Sequence, residues 1–435
     1  MAESVQEISF FDPATNDCPY HAYKDLRDEA PVWKDPNTGM YFLSRYEDIR
    51  TATLDAKRFT NRIGNAAGAT EKGIRPDDPN LSDELRAELE LEAELAAKYQ
   101  EHGWPTVPTL SGLDEPEHMQ RRKLFDHAFR ATRIKELDPF VEALAHRLID
   151  DFIDQGQVEW VKAVAIPLPL YVIGKQMGAP EEDMPQIKAW TDAWIQRMGL
   201  MQTPDERRWS ADQEIEAQQY FQTKYEALRK EPNNSLLSDL VNNEVPGLGR
   251  PLNDNELHSE MMADLFVGGS ETTTNALSGG VMLAIQNPDV WAKVKADPDQ
   301  YLETWVEEVL RLECPVQGLL RETSEEVELH GVTIPAGAVV CLRYGAGNRD
   351  ERRFDQPTDF DLERKQPRSH LAFGTGTHHC LGAPLARREL YYGFKALVER
   401  IDDMWFIDGA NDFSYAPNYF LRALKELHIG FTPRS

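Results

Sequence analysis

Cys380 stands in the run Phe373-Gly374-Thr375-Gly376-Thr377-His378-His379-Cys380-Leu381-Gly382, a glycine-rich loop directly ahead of a strongly helical segment. Gly374, Gly376 and Gly382 permit positive φ and close backbone approach, so the loop can bulge and turn amide N–H groups toward the sulfur. From Pro384 the sequence predicts a helix, because proline suits the first turn and Leu390, Phe394, Leu397, Val398 and Ile401 recur at intervals of three and four. Cys380 is thereby placed near the positive end of a helix dipole, which favours thiolate over thiol, the form that binds a metal. Taken alone, a cysteine beside glycines is more often a buried, inert residue after a turn.

A second constellation, Gly268-Gly269-Ser270-Glu271-Thr272-Thr273, lies midway along a predicted helix that starts at Asn253, in capping-box spacing with Glu256, and ends near Gln286. Glycine in a helix interior costs about 1 kcal/mol relative to alanine, so two in succession call for a reason. Missing side chains would let a ligand lie against the backbone, while Glu271 and Thr272 offer an acid and a hydroxyl for proton transfer. The plainer alternative is a kinked core helix in which Thr272 bonds the carbonyl of the preceding turn. Further on, Glu308 and Arg311 share one helix face. As an exposed pair they would contribute only about 0.2–0.5 kcal/mol.

The pattern Phe-Gly-x-Gly-x-x-x-Cys-x-Gly, filled at every fixed position by Phe373, Gly374, Gly376, Cys380 and Gly382, resembles the haem-binding loop of the cytochrome P450 family. The resemblance extends over almost the entire chain and implies a mainly α fold with small β-sheets, the single-domain triangular prism of that family, over residues 1–435. It implies haem b (iron protoporphyrin IX) with Cys380 as axial ligand, Phe373 and Gly382 beside the haem, and Thr272 and Glu271 as the oxygen-steadying hydroxyl and the proton-delivering acid. His118 and Arg122 match the family's His-x-x-x-Arg propionate pair, and Arg321 and His378 its other two propionate contacts. Glu308 and Arg311 match a buried structural pair whose third member would be Arg364; many relatives carry Arg where this chain has Asp359.

The implied function is a haem-thiolate monooxygenase that inserts one atom of O2 into a hydrophobic small molecule, such as a terpenoid, steroid or aromatic. With no flavin or iron–sulfur module attached, NAD(P)H-derived electrons would arrive from a separate ferredoxin and its ferredoxin reductase. Two other readings are a peroxide-driven peroxygenase, against which Glu271 and Thr272 argue, and a non-catalytic haem sensor or carrier. Arg121, Arg122, Lys123, Arg130, Arg133 and Lys135, with Arg387 and Arg388, form a candidate basic patch for an acidic ferredoxin. By family position, residues 316–320, Leu265, Phe266, Gly269 and residues 415–421 would face substrate, with Trp190, Trp194, Met198 and Met201 as a roof or, at that helical spacing, simply core.

The elements that must hold these residues are mostly helical. Residues 40–44 and 338–344 read as strands and 327–337 as a hairpin, residues 231–253 as a connecting loop, and the Glu- and Leu-rich stretch from Ser82 to about Gln100 as a capped acidic helix, either solvated or a substrate lid. The 435 residues carry 47 basic and 74 acidic side chains, a net charge of −27, which disfavours nucleic acid and anionic membrane as partners. No run approaches the roughly 18 apolar residues of a membrane span, and the N-terminus lacks the basic and apolar regions of a signal peptide. Cys18, Cys314, Cys341 and Cys380 have neither zinc-ligand nor disulfide-scaffold spacing. A cytoplasmic, monomeric enzyme is the expectation, with Cys341 buried in a strand.

Overall fold

In a computed structural model of the chain, which describes Val5 and residues 8–62, 82–199 and 202–434, helices predominate and small sheets accompany them, the mainly α class expected from the sequence. Packing divides the chain into two compact units, one formed by Met1–Phe59, Phe129–Gly174 and Gly268–Ser435 and the other by Thr60–Ala128 and Lys175–Val267. Among the described residues no helix is long and apolar enough to cross a membrane.

The first unit is built on helices that meet at glycines. Helices Gly268–Gln286, Pro298–Glu313 and Ala383–Arg400 pack around Leu277, Val281, Trp305, Val309, Leu390 and Phe394, all fully buried. A Cβ at Gly280 would stand 2.2 Å from Phe394 Cζ, and one at Gly393 2.8 Å from Leu277 Cδ2. Glycine at those positions is what lets the helices lie so close, and each large apolar side chain buried between them contributes about 1.5–3 kcal/mol. Ile401, expected to close the last helix, instead opens strand Ile401–Phe406, because its backbone turns extended (φ −127°, ψ 126°).

Strands Val32–Lys34, Tyr41–Leu43, Val339–Leu342 and Leu319–Thr323 lie side by side in that order, with Cys341 opposite both Phe42 and Leu320 and fully buried, as expected. The expected hairpin pairs Val327–Leu329 with Val332–Ile334 through His330 and Gly331, both at positive φ, the conformation of a tight type I′ turn.

Helix Pro298–Glu313 starts with Asp297 accepting from Gln300 N–H and Pro298 in its first turn, and it turns the adjacent carboxylates Glu307 and Glu308 inward. Glu308 receives Arg311 Nε at 2.7 Å and Nη2 at 2.8 Å, Arg364 Nε at 2.8 Å and Asp361 N–H at 3.1 Å. Arg364 is therefore the third member, and Asp359 joins through its carbonyl, 2.9 Å from Arg311 Nη2, rather than its side chain. Burial alone would raise the Glu308 carboxyl, but the hydrogen bonds and charges of Arg311 and Arg364 hold it below the usual carboxylate range.

In the second unit, the capping box at Asn253 and Glu256 opens helix Asp254–Glu260 as expected, but the backbone then widens into a π-helical stretch, Met261–Val267, that the sequence does not foretell. Residues 231–253 are not a plain loop. Ser235 accepts from Ser238 N–H and caps helix Leu236–Asn242, whose Leu236, Leu237, Leu240 and Val241 make a buried stripe. The acidic helix runs Asp83–His102, with Ser82 as its cap, and it packs on helix Pro204–Lys230. Arg207 holds Glu88 and Glu92, Arg208 holds Glu94 at 2.8 and 2.9 Å, and Lys98 holds Asp212 at 2.5 Å. Its carboxylates thus face partner cations rather than water alone.

Glu308→Ala is expected to leave the fully buried Arg311 guanidinium without its anion and to cost about 3–5 kcal/mol of stability, read from the urea unfolding midpoint. A loss below about 1 kcal/mol would mean that the trio is dispensable to the fold.

Candidate functional site

The cysteine loop is shaped by its own backbone. Leu371 N–H donates to Asn348 Oδ1 at 2.6 Å, Gly374 N–H to Leu371 O at 2.8 Å, and Cys380 N–H to Phe373 O at 2.9 Å. Gly376 sits at φ +73°, and a Cβ there would meet the Thr53 carbonyl oxygen at 2.7 Å, so glycine is needed twice over. A single 3-10 turn, Gly376–His378, carries the half-buried His378 and delivers the chain to Cys380. Gly382 then caps helix Ala383–Arg400, with Ala386 N–H on its carbonyl at 2.9 Å.

Cys380 is exposed just before that helix N-terminus. Cys314 and Cys341 are buried, and burial pushes both thiols up, away from the thiolate. Cys18 is exposed but closes the short helix Pro13–Asp17 with no glycine loop around it. Cys380 alone combines access with a helix N-terminus.

Helix Gly268–Gln286, which bears Glu271 and Thr272, packs directly on the helix that follows the loop. Its two leading glycines do different work. Gly268 is exposed although the helix beyond Ser270 is nearly all buried, whereas a Cβ at Gly269 would stand 3.0 Å from Ile173 Cγ1. Gly269 is therefore a packing glycine and not the ligand-facing one expected. Thr272 donates its hydroxyl to the Gly268 carbonyl at 3.2 Å on the accessible side of the helix, and Glu271 is buried beside it.

Arg321 extends from strand Leu319–Thr323, buried, with its Nη1 on the Leu320 carbonyl at 2.6 Å and a side-chain bond to the Tyr344 hydroxyl. Among the described residues it forms no ion pair with a carboxylate. A buried guanidinium so placed suits an anionic group from outside the protein. An accessible sulfur between glycines, an open stretch of helix backbone at Gly268 and an anion-seeking Arg321 together fit a haem.

His118 and Arg122 stand on helix Glu117–Ala128 of the second unit. His118 is buried with Nδ1 3.3 Å from Glu115 Oε1, and Arg122 Nε donates to Asp126 at 2.8 Å.

The expected basic patch is thinner than its sequence suggests. Arg133 is buried, Arg387 and Arg388 are held in two-pronged pairs by Glu307 and Asp138, and Arg121 is held by Glu256 and Glu260. Several expected substrate-facing residues are core. Phe266 packs on Phe221, Trp190 on Tyr220 and Phe221, and Tyr419 in a cluster with Phe10 and Phe42, while Met201 lies outside the described residues. Gly318 is small because a Cβ there would stand 2.8 Å from the Leu342 carbonyl.

Two residues escape the sequence reading. Glu307 is buried and receives His370 and Arg387. Glu389, fully buried beside Thr273, has its carboxyl pushed well up by burial, so the helix that follows the cysteine loop carries a buried acid against the Thr272 helix. A polar break in the apolar stripe of Leu385, Leu390 and Phe394 is the signal that marks it.

A family model described as Cytochrome P450 matches residues 191–402. The chain is 32% identical over 412 residues to a steroid C26-monooxygenase of Mycobacterium tuberculosis, covering 95% of this chain and 93% of that protein. Among solved structures, cytochrome P450 CYP109Q5 from Chondromyces apiculatus superposes with a TM-score of 0.80 at 28% identity, over 98% of this chain and 99% of the other. CYP109E1 from Bacillus megaterium in complex with corticosterone gives 0.78 at 25% identity, over 96% and 100%.

Titrated with a small disulfide reagent, folded haem-free protein is expected to show two fast thiols, Cys18 and Cys380, with Cys314 and Cys341 reacting only on unfolding, and Cys380→Ala is expected to leave one. A third fast thiol in the folded protein would contradict this burial pattern.

Proposed function

The chain belongs to the cytochrome P450 family of oxidoreductases, and from that premise we propose that residues 1–435 form one haem-thiolate monooxygenase domain acting on a steroid or similarly bulky alicyclic substrate. The observation that carries the reading is Cys380, the one accessible cysteine seated on a glycine loop at a helix N-terminus. Haem b, when bound, supplies an iron centre that activates O2, so that one oxygen atom enters a C–H bond and the other leaves as water.

The protein's part is positional and electrostatic. Cys380 offers its sulfur where the dipole of helix Ala383–Arg400 favours the anion, and Phe373 and Gly382 hold the loop on either side. Arg321 and His378, and by resemblance His118 and Arg122, would neutralise the carboxylates of a bound haem. Thr272 holds a hydroxyl proton at the accessible helix face, donated in this structure to Gly268 O, and Glu271 supplies a proton to that hydroxyl from the buried side. An acid and an alcohol so placed support reductive O2 chemistry over a peroxide-driven route. Electrons then come from NAD(P)H through a separate ferredoxin and ferredoxin reductase, in a cytoplasmic setting that suits four free cysteines.

Support for the substrate class comes from the relatives. Three curated ones are named steroid C26-monooxygenases, and one structural neighbour holds corticosterone.

Reduced protein under carbon monoxide is expected to show the absorption that marks thiolate-bound haem, lost in Cys380→Ala and kept in Cys341→Ala; the reverse pattern would refute the ligand assignment. Steroids should shift the Soret band of the holoprotein, and a panel in which only linear or small aromatic compounds do so would refute the substrate class. Thr272→Ala is expected to retain haem and substrate binding while NAD(P)H consumption is diverted to peroxide. Unchanged coupling of NAD(P)H to product would leave Thr272 an ordinary helix residue.

A further inference from the structure

One buried carboxylate grips the cysteine loop at both ends. Glu307 Oε2 lies 2.9 Å from His370 Nε2, at the entry to the loop, and Glu307 also accepts from Arg387 Nε at 2.6 Å and Nη2 at 3.1 Å, on the helix that leaves it. Glu307 and His370 are almost completely buried, and Arg368 adds an outer contact at 3.3 Å. Ala372 N–H donates to His370 Nδ1 at 3.2 Å, so Nδ1 is an acceptor and the ring proton sits on Nε2, where it is donated to Glu307.

These contacts reach Cys380 in two further steps. The Arg387 guanidinium lies 4.5 Å from the centre of the Phe373 ring, and the Phe373 carbonyl accepts the Cys380 N–H at 2.9 Å. Glu307 therefore closes a ring of chain from residue 370 to residue 387, with Cys380 standing on it.

We propose that Glu307 is a positioning residue for the Cys380 sulfur, joining His370 to Arg387 so that the loop holds the thiolate in place and resists its protonation and release from haem iron. The inference rests on the reading of Cys380 as haem ligand. The Cys380 backbone is fixed by its bond to the Phe373 carbonyl within the loop, and the loop's two arms meet at this carboxylate. Hydrogen bonds from His370 and Arg387 outweigh burial and hold the Glu307 carboxyl below the usual carboxylate range, so it stands as an anion with both arms attached.

Glu307→Gln separates this role from bulk stability. The amide keeps the size of the side chain but must turn its NH2 either toward the Arg387 donors or toward His370 Nε2–H, and the ring cannot answer with Nδ1 because Ala372 N–H occupies it. One arm of the loop is lost. Glu313→Gln is the control, because Glu313 ends the same helix and is likewise a buried carboxylate, paired with Arg422 at 3.2 Å rather than with the loop. Both variants should lower the unfolding midpoint. In the reduced carbonyl complex of the holoprotein, E307Q should convert from the thiolate-bound to the thiol-bound spectrum about tenfold faster than wild type, equivalent to ~1.4 kcal/mol off the barrier, and E313Q at the wild-type rate. Equal conversion rates for the two variants would overturn the proposal.

If E307Q yields no holoprotein, Arg387→Lys carries the test. It keeps the charge but replaces the two-pronged contact with a single point, so faster conversion supports the proposal and the wild-type rate refutes it. A wild-type complex with no thiolate spectrum would instead refute Cys380 as ligand, so the two failures are distinct.

Discussion

A metal-binding sulfur has to be accessible and immobile at once, and in a protein those demands conflict. Side chains are ordinarily fixed by close packing, and Cys380, the sulfur proposed as the metal ligand, is exposed. Its immobility is borrowed instead from backbone hydrogen bonds within the loop and from the buried anions of a neighbouring helix. Glu307 ties the chain before and after the loop, and Glu308, the next residue, ties the segment around Asp359 and Arg364 through Arg311. Two adjacent carboxylates on helix Pro298–Glu313 thus govern successive stretches of chain leading to the site. Buried charges of this kind are costly unless fully paired, and here each is paired more than once.

The second dependence is on distance between helices. Phe394 presses against Gly280 and Leu277 against Gly393, so the helix after the cysteine loop and the helix bearing Thr272 each seat a large side chain on a glycine of the other. A side chain at either glycine would meet that neighbour inside van der Waals contact and force the two helices apart. The glycines read as chemically significant at positions 268 and 269 are only half so. Gly268 leaves the helix face open, while Gly269 belongs with Gly279, Gly280 and Gly393 as spacing for neighbours.

Much of this was legible in the sequence where the signal is local. The cysteine loop, the caps at Ser82 and Asn253, the hairpin around Gly331 and the buried Cys341 strand all rest on residues close together in the chain, and all are present. The trio of Glu308, Arg311 and Arg364 was reached only through resemblance, because its third member is remote in sequence. Glu307 was overlooked since the pattern that draws attention to Glu308 passes over its neighbour. The basic patch was overread for a related reason: Arg133, Arg387 and Arg388 look like free surface cations until their burial or their partners Glu307 and Asp138 are known.

The acidic helix Asp83–His102 shows how far a local rule can mislead. Judged against its own sequence, with few cations in reach at i+3 or i+4, its row of glutamates reads as a solvated face. The compensating charges lie instead on Pro204–Lys230, where Arg207 and Arg208 point at Glu88, Glu92 and Glu94. Exposed pairs of this kind contribute only about 0.2–1 kcal/mol each, so they select the register of the two helices more than they hold them together. The holding falls to the seam's buried end. Tyr99 packs on Ala211 and Ile215 and donates its hydroxyl to Glu214 at 2.7 Å, while Arg197 reaches the same hydroxyl at 3.1 Å. Burial of Tyr99 keeps that hydroxyl a donor, its pKa pushed up first by desolvation and then by Glu214, so this anchor does not depend on the exposed charges of the seam, which salt screens.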